Sequence, residues 1–384
     1  MMKPAAKNQM SPSLHAFNRR RKFVATIAAI AVLSFGSLAS SSKLRQAAKD
    51  ALKLSSFKNW GIANARAASH VDALEAWKIE KGSKNVLVAV IDTGLDANHP
   101  DLKANVYRDK DNHYGFDFVK NGADPIDEHG HGTHVAGIIG AVANPKTGVS
   151  GVAQSVSIES VKYYADSNTG AVNLKNTVKA IEWAVNSGAK IINYSGGGPE
   201  FAEEEYLALK KAEAKGILVV AAAGNERSDT DKPENYYYPS AYRLTNIISV
   251  AATDINNKLI RSSNWGKTKV DVTAPGENIY STLPNGRYGF MTGTSQATAF
   301  VTGIAALLLA HDPSLTPAKI KDIIRGSVDH YPELKDKVAS GGRVNAKNAL
   351  LALGVKTPLP ASKETDVIRS IARGPSAMVE ALSK

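Results

Sequence analysis

Gly293-Thr294-Ser295-Gln296-Ala297 leads directly into an apolar helical segment, Ala299 to Ala310. A serine here lies at a helix start, where unpaired backbone N–H groups and the positive end of the helix dipole face whatever its hydroxyl attacks. An ordinary N-cap serine has the same position, and the pentapeptide alone favours the N-cap interpretation over the nucleophile interpretation. The nucleophile interpretation therefore depends on finding partner residues elsewhere in the chain.

The rest of the chain alternates between strand-like and helix-like segments. The apolar runs 86–91, 157–161, 191–194, 217–223 and 247–251 have the length and β-branched content of buried parallel strands. Helical stretches are expected at 131–143, 174–187, 203–215, 317–326 and 345–353. This alternation predicts an α/β fold, a three-layer, doubly wound, mostly parallel sheet with helices on both faces. Active groups in such folds collect at the carboxyl ends of the strands.

Two more motifs supply the partners that a nucleophilic serine needs. Asp92 directly follows the first apolar run, so its carboxylate is presented at the carboxyl end of a strand, although a turn-capping aspartate also fits. His131, in Gly130-His131-Gly132-Thr133-His134, lies at a helix start, where Gly132 permits another backbone to come close. An imidazole between a carboxylate and a hydroxyl is the arrangement that activates serine at neutral pH.

The motifs in the order Asp92, His131, Ser295 make the chain resemble the subtilisin-like serine proteases, the subtilases. The resemblance runs from about residue 60 to 352 and includes the segments 192–198, 221–225, 238–240, 274–276 and 341–345. It implies a monomeric serine endopeptidase that hydrolyses polypeptides through an acyl-enzyme and needs no cofactor for its chemistry. A catalytically silent binding module of the same fold is the alternative. A dinucleotide-binding oxidoreductase is disfavoured because no strand precedes a Gly-x-Gly-x-x-Gly motif.

By the same resemblance, each motif residue has an expected role. Ser295 attacks the peptide carbonyl, His131 takes and returns the proton, and Asp92 orients the imidazole and stabilises its charged form. Asn225 matches the oxyanion donor, working with the Ser295 N–H, whereas its ordinary interpretation is a turn residue.

Substrate-binding residues are also implied by the resemblance. The pocket for the side chain before the scissile bond is expected to be lined by Ser195, Gly196, Gly197, Ala222, Ala223 and Gly224. Tyr237 falls where relatives have a small residue, so we hypothesise that it shortens this pocket and favours small or medium side chains.

Two metal sites can be considered. Asp127, His129, His131 and His134 contain zinc-binding residue types, but the resemblance places their side chains on different sides. A structural calcium ion is the other candidate, with Asp101, Ala143, Thr147 and Val149 as the ligands that the resemblance implies. Pro145 replaces a common ligand there and Lys146 adds a positive charge, both of which weaken that site.

Composition excludes several classes of protein. The chain is 43% hydrophobic and 22% charged, which is typical of a globular protein. Its net charge of +11 is concentrated in the first 60 residues, which hold 11 Lys and Arg against the single acid Asp50. The remainder is nearly neutral, which disfavours nucleic acid as a partner. The absence of cysteine excludes disulfides, thiolate metal sites and a thiol nucleophile.

The N-terminal segment is typical of an export signal. Arg19-Arg20-Arg21-Lys22 precedes an uncharged run, 23–42, that ends in small residues, and the string also resembles a twin-arginine signal. We therefore expect an exported protein, periplasmic or extracellular; the alternative is an uncleaved N-terminal membrane anchor. The predicted organisation is an export segment (1–42), a short basic linker with no folded prodomain (43–58), a catalytic domain (59–354), and a linker with a short amphipathic tail (355–384).

Overall fold

The computed structural model describes residues 57–63 and 69–354, which belong to one compact unit, Phe57–Pro358. The predicted export segment, nearly all of the basic linker and the C-terminal tail lie outside the described residues. The predictions made for them, including export, therefore stay predictions.

Twelve strands form in the described part of the chain. Their bounds are β1 Gly82–Asp92, β2 Gly115–Asp117, β3 Gly122–Ala123, β4 Ser155–Lys162, β5 Ile191–Tyr194, β6 Leu218–Ala222, β7 Ile247–Thr253, β8 Val272–Pro275, β9 Ile279–Leu283, β10 Arg287–Met291, β11 Asp329–His330 and β12 Gly342–Arg343. Ten of them make one sheet in the order β11-β12-β8-β7-β6-β5-β1-β4-β2-β3, and β9 and β10 form a separate antiparallel hairpin. The large sheet is parallel except at its two edges, where β11 pairs with β12 and β2 with β3 in antiparallel fashion.

Seven α-helices accompany these strands within residues 57–63 and 69–354. Their bounds are α1 Ala73–Ala76, α2 His131–Gly140, α3 Gly170–Ser187, α4 Glu203–Ala214, α5 Thr294–His311, α6 Pro317–Gly326 and α7 Ala346–Leu351. Three of these helices begin with an ordinary side-chain cap: Thr169, Thr316 and Asn345 accept from the N–H groups of Val172, Lys319 and Asn348.

Both faces of the sheet are covered by helices, which confirms the predicted three-layer α/β fold. Alternate residues of each strand point to opposite faces. Ala89 and Ile91 of β1 pack with buried residues of α3 and α4, while α2 and α5 pack on β1 from the other side. Burial of both faces explains why the central strands are continuous apolar runs rather than alternating ones.

Helix α5 lies inside this core. Its residues from Thr294 to Leu309 are all buried. Among the described residues it is the one helix whose length and apolar composition would suffice to cross a membrane, but 89% of the relevant window is buried within the protein. The Ser295 segment is therefore held by contacts along the whole helix.

The sequence missed several short strands. Strands β2, β3, β11 and β12 have two or three residues each, too few to show a hydrophobic period. The hairpin β9–β10 was also missed; β10 is exposed or half-buried along its whole length and does not form a buried apolar run. This hairpin is positioned by side chains: Ser281 and Thr282 donate to the carbonyls of His134 and Thr133, at 2.8 and 2.7 Å.

Candidate active site

Asp92 and His131 meet at the carboxyl edge of the sheet. Asp92 is the last residue of β1, and His131 is the first residue of α2. His131 Nδ1 donates to Asp92 Oδ1 at 2.7 Å, and the Thr93 N–H donates to the same oxygen at 2.8 Å. The carboxylate is 4% exposed and the imidazole 24% exposed. A buried carboxylate thus holds one nitrogen of a solvent-accessible ring.

Gly132 allows this close approach. A Cβ at Gly132 would lie 2.2 Å from the Gly94 carbonyl oxygen and 3.2 Å from Asp92 Oδ1. Any side chain here would push α2 away from the end of β1. The close approach that the sequence suggested for this glycine is therefore present.

Asp127 positions the start of α2, a role that sequence reasoning missed. Its Oδ1 accepts from the N–H groups of His129 and Gly130 and from Thr93 Oγ1, at 2.7 to 3.1 Å. Its Oδ2 accepts from both the N–H and the hydroxyl of Thr133, at 2.9 and 2.6 Å. An acidic side chain at a helix N-terminus satisfies orphan donors and interacts favourably with the dipole. Asp127 thereby connects the Asp92 loop to the helix that carries His131.

The neighbours of His131 favour its protonated form. Burial lowers the pKa of His131, but the charge of Asp92 and its hydrogen bond raise it, as does the charge of Asp127. The net result is a pKa above the usual value. An imidazole of this kind is a stronger base than free histidine and is stabilised after it has taken a proton.

Ser295 lies at the same edge of the sheet, at the second position of α5. Its Oγ donates to the Ser195 carbonyl oxygen at 3.0 Å, and Ser195 Oγ donates to the Ser295 carbonyl at 3.3 Å. Ser195 follows β5, and β5 pairs with β1 so that Tyr194 is opposite Ile91. Ser195 is therefore next to Asp92 across the sheet. The structure brings all three residues to one edge, with the hydroxyl turned toward Ser195 rather than toward His131.

A buried polar network hydrogen-bonds to the Ser195 side chain. Thr302 of α5 donates to Asn193 Oδ1 at 2.8 Å, and Asn193 Nδ2 donates to Ser195 Oγ at 3.0 Å. Thr302 and Asn193 are both fully buried. Because buried polar groups are costly unless they are paired, this network fixes the register of α5 against β5.

Asn225 follows β6, the next strand of the sheet, and faces the start of α5. Its Oδ1 accepts from the Thr294 N–H at 3.0 Å and from Thr294 Oγ1 at 3.3 Å. An amide whose oxygen is held in this way directs its Nδ2 donors elsewhere. Asn225 is exposed, so these donors are available to a ligand beside Ser295.

The residues expected to line the substrate pocket fall into two segments. Ser195 to Gly197 follow β5, and Ala222 to Gly224 join β6 to Asn225. Tyr237 contacts both segments: a Cβ built on Gly197 or on Gly224 would lie within 3 Å of its ring. The structure therefore brings Tyr237 together with one glycine of each segment that the resemblance implied, and its ring lies between Gly197 and Gly224.

The histidine cluster does not converge on a point. His131 Nδ1 contacts Asp92, whereas His134 is fully buried with its Nε2 3.0 Å from the Ile279 carbonyl oxygen. Burial, together with the neighbouring His131, lowers the pKa of His134 to about 4, so this ring is neutral near pH 7. No group of three or more His, Cys, Asp or Glu residues with metal-binding geometry occurs among residues 57–63 and 69–354.

The contacts of Asp101 do not fit the suggested calcium cage of Asp101, Ala143, Thr147 and Val149. Both carboxylate oxygens already accept hydrogen bonds, from Asn144 Nδ2 at 2.8 Å, Thr147 Oγ1 at 3.0 Å and Tyr288 OH at 2.7 Å. The Val149 carbonyl accepts from the Asn144 N–H at 3.0 Å. An ion would have to displace several donors while Asp101 supplied the only carboxylate of the set. The Tyr288 contact spans 187 residues and had no signal in the sequence.

Comparison with known proteins identifies related chains. Residues 83–348 match the sequence profile of the subtilase family. Thermitase of Thermoactinomyces vulgaris is 38% identical over 280 residues, which are 73% of this chain and 93% of thermitase. A thermophilic serine proteinase of Bacillus sp. strain AK1 is 40% identical over 275 residues, which are 72% of this chain and 64% of that protein.

Solved structures agree with these sequence matches. A lanthipeptide protease superposes with a TM-score of 0.63 at 29% identity, over 75% of this chain and 94% of the protease. A cold-adapted subtilisin-like serine proteinase superposes with a TM-score of 0.58 at 30% identity, over 70% and 89% of the two chains.

Proposed function

Because the chain belongs to the subtilase family of serine endopeptidases, we propose that Ser295, His131 and Asp92 are its catalytic triad and that Asn225 is its oxyanion donor. The observation that carries this proposal is the hydrogen bond of 2.7 Å between the buried Asp92 carboxylate and His131 Nδ1. It leaves Nε2 as the free ring nitrogen, at the edge of the sheet where the Ser295 hydroxyl lies.

In the proposed reaction, the Ser295 hydroxyl turns from the Ser195 carbonyl to His131 Nε2 by rotation about its Cα–Cβ bond. Contacts of this kind are often loose before substrate is bound. Nε2 takes the proton as Oγ forms a bond to the peptide carbonyl carbon. The carbonyl oxygen becomes an oxyanion, which accepts from Asn225 Nδ2 and from the Ser295 N–H.

Collapse of this intermediate breaks the peptide C–N bond. His131 donates its proton to the leaving amine, and the acyl group stays on Ser295 as an ester. Water then attacks the ester, with His131 again taking the proton, and its return to Ser295 Oγ releases the acid. Asp92 stays ionised throughout and stabilises the imidazolium, and no cofactor takes part.

A fluorophosphonate probe tests the proposal. We expect the probe to label one residue, Ser295, identified by peptide mapping. Labelling should slow as the pH falls through the raised pKa of His131, since the protonated ring cannot act as base. A His131→Ala variant is the control and should label far more slowly. A folded chain that stays unlabelled at pH 8 would instead indicate a binding module without catalysis.

We also propose that the Asp101 site is held by hydrogen bonds in place of a calcium ion. Burial, followed by the hydrogen bond to Asp101, raises the pKa of Tyr288, so its hydroxyl stays a donor at neutral pH. The same hydroxyl connects β10, which leads into the Ser295 segment, to the loop that carries Asp101. A neutral hydrogen-bond donor such as this hydroxyl lowers the free-energy cost of burying the Asp101 carboxylate, and no cation is needed.

Chelation tests this proposal. We expect the melting temperature to be the same in excess EDTA and in millimolar calcium. A bound ion would instead raise the melting temperature in calcium, because it would stabilise the native state by mass action. Tyr288→Phe should lower the free energy of unfolding by about 1 to 3 kcal/mol, since it leaves a buried carboxylate short of one donor. Tyr280→Phe is the matched control, as its hydroxyl contacts the Lys58 amine at 3.2 Å. A melting temperature that falls in EDTA would contradict the proposal.

A further inference from the structure

Backbone hydrogen bonds fix the position of Tyr237. The neighbouring residue Tyr238 pairs with Gly198: the Gly198 N–H donates to the Tyr238 carbonyl at 3.0 Å, and the Tyr238 N–H donates to the Gly198 carbonyl at 2.8 Å. This antiparallel bridge fixes the backbone next to Tyr237, whose ring reaches Gly197. The Ala241 N–H also donates to the Tyr237 carbonyl, at 2.8 Å. The ring is therefore attached to a paired backbone rather than to a free loop.

The Tyr237 ring lies between two glycines. A Cβ on Gly197 would be 2.5 Å from Tyr237 Cε1, and a Cβ on Gly224 would be 2.9 Å from Tyr237 Cδ2. Both distances are shorter than any carbon–carbon contact permits, so the ring touches the bare backbone on both sides. The glycines leave a slot, and the aromatic ring occupies it.

The resemblance to subtilases assigns this slot to the side chain on the acyl side of the scissile bond. Gly224 directly precedes Asn225, the proposed oxyanion donor, and Gly197 lies two residues beyond Ser195, whose carbonyl accepts from Ser295 Oγ. This placement agrees with the family resemblance, which implies that a carbonyl group held between Ser295 and Asn225 directs its own side chain between these two chain segments. Tyr237 and that side chain compete for the same volume.

The chain segment around Gly224 is held in place by hydrogen bonds to the Asn264 side chain. Asn264 Nδ2 donates to the Ala223 carbonyl at 2.9 Å and to Glu226 Oε2 at 2.6 Å. Asn264 Oδ1 accepts from the Glu226 and Ser228 N–H groups, at 3.0 and 2.9 Å. Asn264 is 1% exposed. Because these contacts resist displacement of the Gly224 segment, a large substrate side chain cannot make room by widening the slot.

We propose that Tyr237 closes this pocket, so that the chain cleaves after Gly, Ala and Ser much faster than after Leu or Phe. The proposal rests on the proposed function and assigns the substrate class of the same site. It sharpens the hypothesis made from the sequence, because medium side chains are excluded along with large ones. The physical reason is steric: the Tyr237 ring fills the space between Gly197 and Gly224 that a larger side chain would need.

Peptide p-nitroanilides that differ only in the residue before the scissile bond test the proposal. With the full chain, we expect kcat/KM to be about 10- to 100-fold higher for Ala than for Leu or Phe. Tyr237→Gly should raise kcat/KM for Phe by a similar factor and reverse the order, because the freed slot then buries the Phe ring. Tyr236→Gly is the matched control: its ring lies over the Lys269 amine, 4.3 Å from it, and the preference for Ala should persist.

The outcomes distinguish failure of the pocket proposal from failure of the proposed function. The fluorophosphonate reaction first counts the active Ser295 in each preparation. Labelled enzyme with equal rates after Ala, Leu and Phe would overturn the pocket proposal alone, and so would an unchanged preference in Tyr237→Gly and in a second variant, Tyr237→Ala. Wild-type enzyme that neither labels nor hydrolyses any substrate would overturn the proposed function, and this inference with it.

Discussion

Replacing Asp92 by Asn is expected to lower kcat by about 10⁴-fold, the magnitude found when the triad carboxylate is lost in other serine proteases, subtilisin among them. The variant keeps the size of the side chain, and its amide oxygen can still accept from the Thr93 N–H. It loses the negative charge that faces His131 at 2.7 Å. The imidazolium formed during the reaction then has no adjacent counter-charge.

The pH profile distinguishes this electrostatic role from a structural one. Only neutral His131 can act as base, so kcat/KM rises as the pH passes upward through the pKa of His131. Asp92 is a main cause that raises this pKa, while burial lowers it. In Asp92→Asn we therefore expect the acid limb of the profile to move to lower pH. A large loss of rate with an unmoved limb would contradict the assigned role.

A second Asp–His pair provides a matched control. His113 Nδ1 lies 3.1 Å from Asp124 Oδ2, with both side chains more than 40% exposed. Asp124→Asn makes the same chemical change, and Asn tolerates the positive φ of 62° at this position. We expect it to leave kcat/KM and the acid limb of the profile unchanged. Melting temperatures of both variants show whether the fold is intact.

Substitution of Asn225 is expected to lower kcat by about 10²- to 10³-fold with little change in KM. This magnitude, about 3 to 4 kcal/mol, is the one measured for an oxyanion donor in a subtilisin. The donor acts on charge that exists only in the transition state, so ground-state binding should be nearly unaffected. Measuring kcat and KM separately for Asn225→Ala checks this expectation, and a change in KM alone would contradict it.

Two further variants separate the donor from the anchoring of α5. Asn225→Asp keeps an oxygen for the Thr294 N–H, at 3.0 Å in the wild type, but removes the Nδ2 donors. It should lose at least as much kcat as Asn225→Ala, because a negative charge also faces the oxyanion. Thr294→Val removes only the hydroxyl contact at 3.3 Å and should lower kcat by less than about tenfold. If Thr294→Val has the larger effect, Asn225 acts by positioning the helix.

Much of the fold could be predicted because its signals are local. The runs that became β1, β5, β6 and β7 are apolar on both faces, as buried parallel strands require, and the structure confirms them with end shifts of a few residues. Helix α6 begins and ends at the predicted residues, since Thr316 and Pro317 form a start signal that is complete within two positions. The order of strands and helices then implied the α/β class, which the comparisons also support.

Less of the candidate site could be predicted. The sequence singled out Asp92, His131, Ser295 and Asn225 from their motifs, and their roles stay proposals. It also suggested a calcium cage around Asp101. In the structure the Tyr288 hydroxyl donates to that carboxylate, a contact that a calcium ion would have to displace. The anchoring role of Asp127 was missed because three of its five hydrogen-bond donors are backbone N–H groups, which any residue type supplies.

The sequence by itself determined which chemistry the chain can carry: a carboxylate at a strand end, a histidine at one helix start and a serine at another. Only the tertiary structure decided how these groups are arranged. It brought Asp92 to His131, turned the Ser295 hydroxyl toward Ser195, and placed the Tyr237 ring between Gly197 and Gly224. Hydrophobic period and capping act over a few residues, whereas these contacts join positions up to 100 residues apart. Such contacts form only when the buried sheet sets the distances between its strand ends.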